Sequence, residues 1–374
     1  MILTSLIGWS VLVSQVSVAH ADLSIATYNV WHGHGGTGFF TISNLEPKGR
    51  KQRRIAFQIE EFKKLAPDLL FLQELDPVAK LARRYASELG MDQIHQADNC
   101  GVKIGGLGPP FNFFSGIGIL AKPELQLRRL GSKKLSGPSL CGCSDSFGFQ
   151  TGEFRYALAG EITHPDCGKL LVVVVHTHHG LELNEAIENP LLQLLRLGYL
   201  NRTQYGKFRE RVQVEDDRRL HEVAGILRLI KKYRRPEHRG VILAGDFNSI
   251  PTSPSQIRLR DAGFTDSFGT LHPEELGYTW NREVNPNIHH YGVGTIPATS
   301  VDGLGLGKDA KKHLSDAVRN ADTISRRIDY IYVTEELAAL LQSSEVIMGY
   351  AQSDDLFGSD HFGLHTMLGD KAER

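Results

Sequence analysis

Val241-Ile242-Leu243-Ala244-Gly245-Asp246-Phe247-Asn248 joins four apolar residues to a glycine and a short polar run. An apolar stretch of this length, closed by a turn signal, reads as a strand buried on both faces. Its end sets a carboxylate and an amide where the strand leaves the sheet, the place at which α/β sheets gather functional side chains. The same arrangement recurs outward along the chain. Residues 23–30 form a strand ending in Tyr28-Asn29-Val30, 69–72 run into Gln73-Glu74, and 170–175 run out as His176-Thr177-His178. Arg327-Ile328-Asp329-Tyr330 lies inside a strand (328–333), and Ser359-Asp360-His361 precedes the last one, 363–367.

Between these strands the apolar period changes from two to helical. Ile55, Ile59, Phe62 and Ala66 share one face of a helix over 53–65, and Leu81, Tyr85 and Leu89 do so over 78–89, which stops at Gly90. Leu220, Val223, Leu227 and Ile230 mark another helix before the strand at Val241. Alternating strands and helices define an α/β class. Nothing resembling an interdomain linker divides the chain, so one domain over 22–374 is expected. It carries insertions near 97–152, 181–206 and 285–314. Within 97–152 only 116–120 reads as a strand, and the rest reads as loop.

The chain has 374 residues and a formal net charge of -1, with 42 Lys plus Arg against 43 Asp plus Glu. That balance gives no overall positive field to draw in nucleic acid, although a local basic groove remains compatible with it. Residues 1–21 lack any Asp, Glu, Lys or Arg and close on Ala19-His20-Ala21, the pattern of a cleaved signal peptide. Export to the outside of the cell or to the periplasm is therefore expected. Cys100, Cys141, Cys143 and Cys167 then suggest two disulfides, with three pairings open.

The residue types at the strand ends suit phosphoryl chemistry. Glu74, Asp246 and Asp360 offer hard anionic oxygens, and Asn29 and Asn248 neutral ones, the donors that Mg²⁺ and similar cations prefer. An imidazole held by a carboxylate, as His361 by Asp329, has a fixed orientation and raised basicity. Nowhere does a G-x-S-x-G elbow, a phosphate-binding GxxxxGK[ST] loop or an H-E-x-x-H pair occur, which argues against acyl transfer, nucleotide kinase chemistry and zinc proteolysis.

In this order the six segments resemble the endonuclease/exonuclease/phosphatase superfamily, the deoxyribonuclease I-like fold. Gly-Asp-Phe-Asn at 245–248 and Ser-Asp-His at 359–361 are the most specific pieces. The resemblance implies a four-layer α/β sandwich of two mixed β-sheets packed face to face with helices outside. It implies a metal-dependent hydrolase with Mg²⁺, or another hard divalent cation such as Ca²⁺ or Mn²⁺, as cofactor. Glu74, Asn29 and Asp360 would form the metal environment. Asp246 and Asn248 would orient water or the leaving oxygen, His178 would bind the phosphoryl group, and His361, supported by Asp329, would act as base or stabilise the transition state. Which of Asp246 and His361 activates the water stays open.

The partner implied is a phosphoester substrate. An apolar insertion next to His178 and the Tyr278-Thr279-Trp280-Asn281 segment, which is similar to the Thr-Trp-Asp segment of secreted bacterial sphingomyelinases, favour a phosphodiester at a lipid surface. Asn281 departs from the Asp of that pattern. The arginines at 50, 53, 54, 202, 209, 211, 218 and 219 support the alternative, a secreted endonuclease acting on nucleic acid. A non-catalytic binding protein on the same scaffold is the third reading. No protein partner is implied, and a monomer is expected.

Overall fold

The computed structural model describes residues 22–35, 44–46, 48–99, 103–104, 114–137, 141–143, 147–150, 154–290, 301–353 and 356–369. Among the described residues, twelve longer strands make up two sheets. The first sheet draws on β1 (Leu23–Asn29), β2 (Leu69–Leu75), β3 (Asp92–Asn99) and β4 (Ser115–Ala121). The second draws on β5 (Arg128–Ser136), β6 (Arg155–His164), β7 (Gly168–His176), β8 (His238–Asp246), β9 (Phe264–Asp266) and β10 (Asp329–Thr334). The chain then returns to the first sheet with β11 (Leu341–Ile347) and β12 (Gly363–Leu368).

The two sheets have matching designs. Their orders are β11-β12-β1-β2-β4-β3 and β9-β10-β8-β7-β6-β5, each with one parallel pair near its centre and antiparallel neighbours elsewhere. Those parallel pairs, β1–β2 and β7–β8, bring Asn29 level with Gln73 and His176 level with Asp246. Because β10 runs antiparallel to β8, its first residue, Asp329, lies opposite Asp246. Likewise β12 begins where β1 ends. Strand direction therefore delivers the polar ends or entries of six strands to one rim.

Strand alternation explains the layers. Leu23 and Ile25 of β1 join Phe71, Ile119, Val172, Val174 and Ile331 between the sheets. Ala26 and Tyr28 point the other way, onto Phe62 of α1 (Lys48–Leu65) and Tyr85 of α2 (Val78–Leu89). On the far side, Val173, Leu243 and Tyr332 pack on Val223 and Ile226 and on Leu259. Those partners lie on α4 (Arg202–Tyr233) and α5 (Pro254–Asp261), which stands after α3 (Glu185–Arg196) in the chain. Burying one such Leu, Ile or Phe contributes about 1.5–3 kcal/mol, and three such layers account for a stable sandwich.

Where the sequence reads as loop the structure adds strands. β5, Arg-Arg-Leu-Gly-Ser-Lys-Lys-Leu-Ser, pairs with β6 and ends its sheet, so its polar side chains face water and hide its alternation. β3, Asp-Gln-Ile-His-Gln-Ala-Asp-Asn, is the corresponding edge of the first sheet. The leucine-rich 181–206 segment folds as α3 and the start of α4. Together with α6 (Lys308–Asp322) it encloses a separate cluster in which Ile187, Leu191, Leu200, Phe208, Leu314 and Val318 are buried.

Residues 1–21 and Cys100, on which the export signal and part of the disulfide expectation rest, lie outside the described residues, as do the side chains of Cys141 and Cys143. Cys167 is buried between the sheets. Among the described residues no helix is long and apolar enough to cross a membrane.

Candidate active site

Asn29 is the hub of the rim. Its Nδ2 donates to Glu74 Oε1 at 3.1 Å and to Asp246 Oδ2 at 3.0 Å, and its Oδ1 accepts from the Trp31 amide at 3.0 Å. Both amide hydrogens are thus spent on carboxylates, so Asn29 sets the spacing of Glu74 and Asp246 across the two sheets. Glu74 reaches that position because the β2–β4 register breaks between Leu72 and Leu75 and Glu74 takes a left-handed φ of 58°. A bulge of this kind re-aims a side chain at the cost of local strain. The Glu74 Oε2 accepts from the His32 amide at 3.1 Å and lies 3.3 Å from the His32 ring.

On the second sheet, Gly245 lets β8 lie against β7 at the rim. Its φ is 143°, and a Cβ there would stand 2.0 Å from the Val175 carbonyl oxygen. Asp246 comes next, with Oδ1 accepting from the Asn248 amide at 2.8 Å, an Asx-type turn that Asn248 completes with φ 46°. The Asn248 side chain donates to the Thr177 carbonyl at 3.0 Å. Asp246 Oδ2 faces two imidazoles, His176 Nε2 at 3.4 Å and His361 Nε2 at 3.8 Å.

His361 is held from behind. Its Nδ1 donates to Asp329 Oδ2 at 2.9 Å, and Trp280 meets its ring edge-on at 4.9 Å. Thr279 ties this corner together. Its Oγ1 accepts from the Ile328 and Asp329 amides, each at 3.1 Å, while its carbonyl accepts from the Phe362 amide at 2.6 Å. Asn281 lies one residue past Trp280, its Oδ1 accepting from the Glu283 amide at 3.1 Å and the Ser325 hydroxyl at 3.3 Å.

The charges at this rim are strongly perturbed. Burial opposes a charge on His361, but Asp329 and Asp246 outweigh it and push the imidazole up to about 10. Asp246 is pushed up to about 7 by burial and by the charge of Asp329. Asp360 also rises to about 7 through burial, eased by His361 and reinforced by the nearby Glu74. Burial works against the Glu74 charge too, yet His32, His361 and the Asn29 bond hold it well below the usual carboxylate range.

The structure brings Asn29, Glu74, Asp246, Asp329, Asp360 and His361 to one place, with Asn248 at its edge. It turns His178 elsewhere. β7 ends at His176, the Thr177 amide already bonds to the Asp246 carbonyl at 2.9 Å, and the chain leaves the sheet before residue 178. The His178 ring hydrogen-bonds Glu215 and its amide donates to Glu222 Oε2 at 2.7 Å, both carboxylates being on α4. The imidazole that faces the carboxylates from β7 is His176. The sequence shows both histidines, and only the pairing of His176 with Asp246 at the end of the β7–β8 ladder selects the first. His32 likewise escapes a reading by strand ends, since a three-residue turn carries it back to Glu74.

A divalent cation fits this donor set. Four carboxylates crowd the rim, two of them raised to about 7 by burial and a neighbouring carboxylate. Asp329 Oδ1 is buried with no hydrogen-bond partner among the described residues. Asp246, Asp329 and His361 offer ligand atoms within 4.8 Å of one another. The 2.9 Å bond between His361 and Asp329 and the raised imidazole make that trio a hydrogen-bonded relay rather than a ligand set. Glu74 and Asp360 remain the hard oxygen donors open to an ion.

Chemistry of this kind on a four-layer sandwich belongs to the hydrolases of phosphate esters. The sequence match is direct: the model of the Endonuclease/Exonuclease/phosphatase family spans residues 26–361, and the chain belongs to that family. Among solved structures, humanized D. rerio TDP2 carrying 14 mutations is similar at a TM-score of 0.54 and 16% identity, covering 93% of this chain and 99% of its own. D. rerio TDP2 complexed with single strand DNA product gives 0.52 and 17%, covering 94% and 100%. An endonuclease/exonuclease/phosphatase family protein from Bacteroides thetaiotaomicron gives 0.53 and 16%, covering 93% and 95%. No curated protein matches the chain by sequence.

Proposed function

We propose that the protein is a divalent-cation-dependent phosphodiesterase in which Asp246 activates the attacking water and His361 is the charged stabiliser. The observation that carries this reading is the position of Asp246: a carboxyl raised to about 7, lying 3.8 Å from an imidazole raised to about 10. Environments that push two neighbouring groups apart assign their roles. At neutral pH the imidazole carries its proton and suits a hydrogen bond to a phosphoryl oxygen, whereas the carboxyl stands near the pKa best suited to a general base.

Water gives a proton to Asp246 as its oxygen bonds to phosphorus. The ester P–O bond opposite breaks, and the leaving oxygen is protonated by solvent on that side. Asp329 keeps the imidazole oriented, and Asn29 keeps Asp246 and Glu74 apart. A cation held by Glu74 and Asp360 would neutralise negative charge on the phosphoryl group. Asn29 supports it by orienting Glu74, since its amide hydrogens face the carboxylates.

The insertion that favoured a lipid in the sequence does not carry that reading further, because Leu191, Leu194 and Leu200 are buried in their own cluster. The lipid reading rests instead on Leu276, 67% exposed, and Val284, 49% exposed, which flank the segment packed on His361. The nucleic-acid reading rests on the DNA-bound similar structure. Four of its arginines give it little: Arg54 and Arg219 are fully buried, Arg209 pairs with Glu188 at 2.8 Å, and Arg50 pairs with Glu46 at 2.9 Å, while Arg53 and Arg202 are exposed. Export to the outside of the cell or to the periplasm remains part of the proposal, on the strength of residues 1–21. The test is to supply sphingomyelin vesicles and single-stranded DNA side by side, with Mg²⁺ or EDTA. Mg²⁺-dependent release from either supports the phosphodiesterase and names its substrate class; release from neither, by folded protein, defeats the lipid and nucleic-acid readings together.

A further inference from the structure

Beside the rim, one buried guanidinium touches two imidazoles. Arg155 is the first residue of β6, and the pairing of Ala157 with Val175 sets it next to the end of β7. Its Nη1 lies 3.3 Å from His176 Nδ1, and its Nη2 lies 3.2 Å from His179 Nδ1. A guanidinium has donors and no acceptor, so each imidazole must present a lone pair at Nδ1 and carry its proton on Nε2. The opposite face of His176 argues the same way. Its Nε2 stands 3.4 Å from Asp246 Oδ2 and 4.0 Å from Glu74 Oε1, where a lone pair would meet carboxylate oxygens.

We propose that Arg155 is a positioning residue that fixes His176 in the Nε2–H tautomer, so that the rim holds an N–H donor aimed at the carboxylates and at any phosphoryl oxygen entering between them. This rests on the phosphodiesterase reading for its consequence, not for its chemistry. The contrast is with His361, where a carboxylate occupies Nδ1 and therefore draws a proton to it. Two imidazoles facing the same Asp246 are thus prepared oppositely, one by an acceptor behind it and one by a donor behind it. The tautomer is set by what bonds the other ring nitrogen.

Long-range ¹H–¹⁵N correlation spectra of the full chain, labelled at histidine nitrogens and assigned with His176→Gln, read the tautomer without any substrate. The wild type should show His176 protonated at Nε2 alone. In Arg155→Ala that single form should be lost, and hydrolysis should fall roughly 10- to 100-fold, the range for groups that orient a functional imidazole. Added guanidinium ion should restore both the tautomer and part of the rate, which a merely structural arginine would not allow. An Nδ1–H form in the wild type, or an unchanged spectrum in Arg155→Ala, overturns the proposal. If Arg155→Ala does not fold, the wild-type spectrum decides. A wild type with the Nε2–H form that hydrolyses no phosphodiester would remove the functional reading and leave the assignment of Arg155 in place.

Discussion

At the ends of β1, β2, β7 and β8 the chain buries carboxylates, imidazoles and an amide against one another. The lobe made by α3, α6 and the first half of α4 buries Ile187, Leu191, Leu314 and Val318 against Phe208. In the lobe every buried group gains from leaving water, and residue identity matters chiefly through volume. At the rim each buried group is costly alone and tolerable only beside its partners, so identity and position are both fixed. Substitution in the lobe should therefore cost stability and spare function, whereas substitution at the rim should cost function above all.

The largest effect should come from the rim. His361→Ala should lose roughly 10²- to 10³-fold in kcat, the usual worth of one preorganised donor that stabilises charge in the transition state. Its folding should change with pH in a defined sense. With its pKa raised from 6.5 to about 10, the imidazole contributes stability that is complete below 6.5 and is lost as pH rises through 10. Denaturant titrations should therefore show wild-type stability falling towards pH 10, with that part of the slope missing in His361→Ala. Glu74→Gln keeps the shape and removes the charge; calorimetry should find Mg²⁺ binding weakened along with turnover, and unaltered binding would place the ion elsewhere.

The lobe gives the intermediate effect. Leu191→Ala should cost about 2–5 kcal/mol, as a leucine removed from a packed cluster does, while kcat stays within about twofold, since enclosed leucines touch nothing that reacts. A fall in kcat without a fall in stability would make the lobe part of the site. The smallest effect concerns the ion. Asp246 and Asp360, raised from 3.8 to about 7, favour the folded state below 3.8, and that advantage is lost as pH rises through 7. Mg²⁺ should therefore raise Tm more at pH 8 than at pH 5, by a few degrees at most; equal shifts would argue against carboxylate ligands.

The rim was legible in the sequence because it sits where apolar strands stop. Residues 241–244 and 170–175 mark strands without ambiguity, and the polar residues directly after a buried strand are drawn into a site at the sheet's edge. The features that escaped depended on three-dimensional direction. His176 and His178 are indistinguishable as letters, and only the end of the β7–β8 ladder at His176 and Asp246 separates them. Arg155 gave no signal, being one arginine at the start of a strand whose register with β7 had to be known. The edge strands β3 and β5 were hidden by polar side chains that water accepts, and what the leucines of α3 pack against was not legible because their partner, α6, lies over a hundred residues on.

The most direct test of the account is the initial rate of hydrolysis of a generic phosphodiester by the purified chain, with Mg²⁺ and with EDTA, beside Asp246→Asn. Hydrolysis should be abolished by EDTA and reduced by orders of magnitude in Asp246→Asn while the protein stays folded. Undiminished turnover by Asp246→Asn, or a rate indifferent to EDTA, would contradict it.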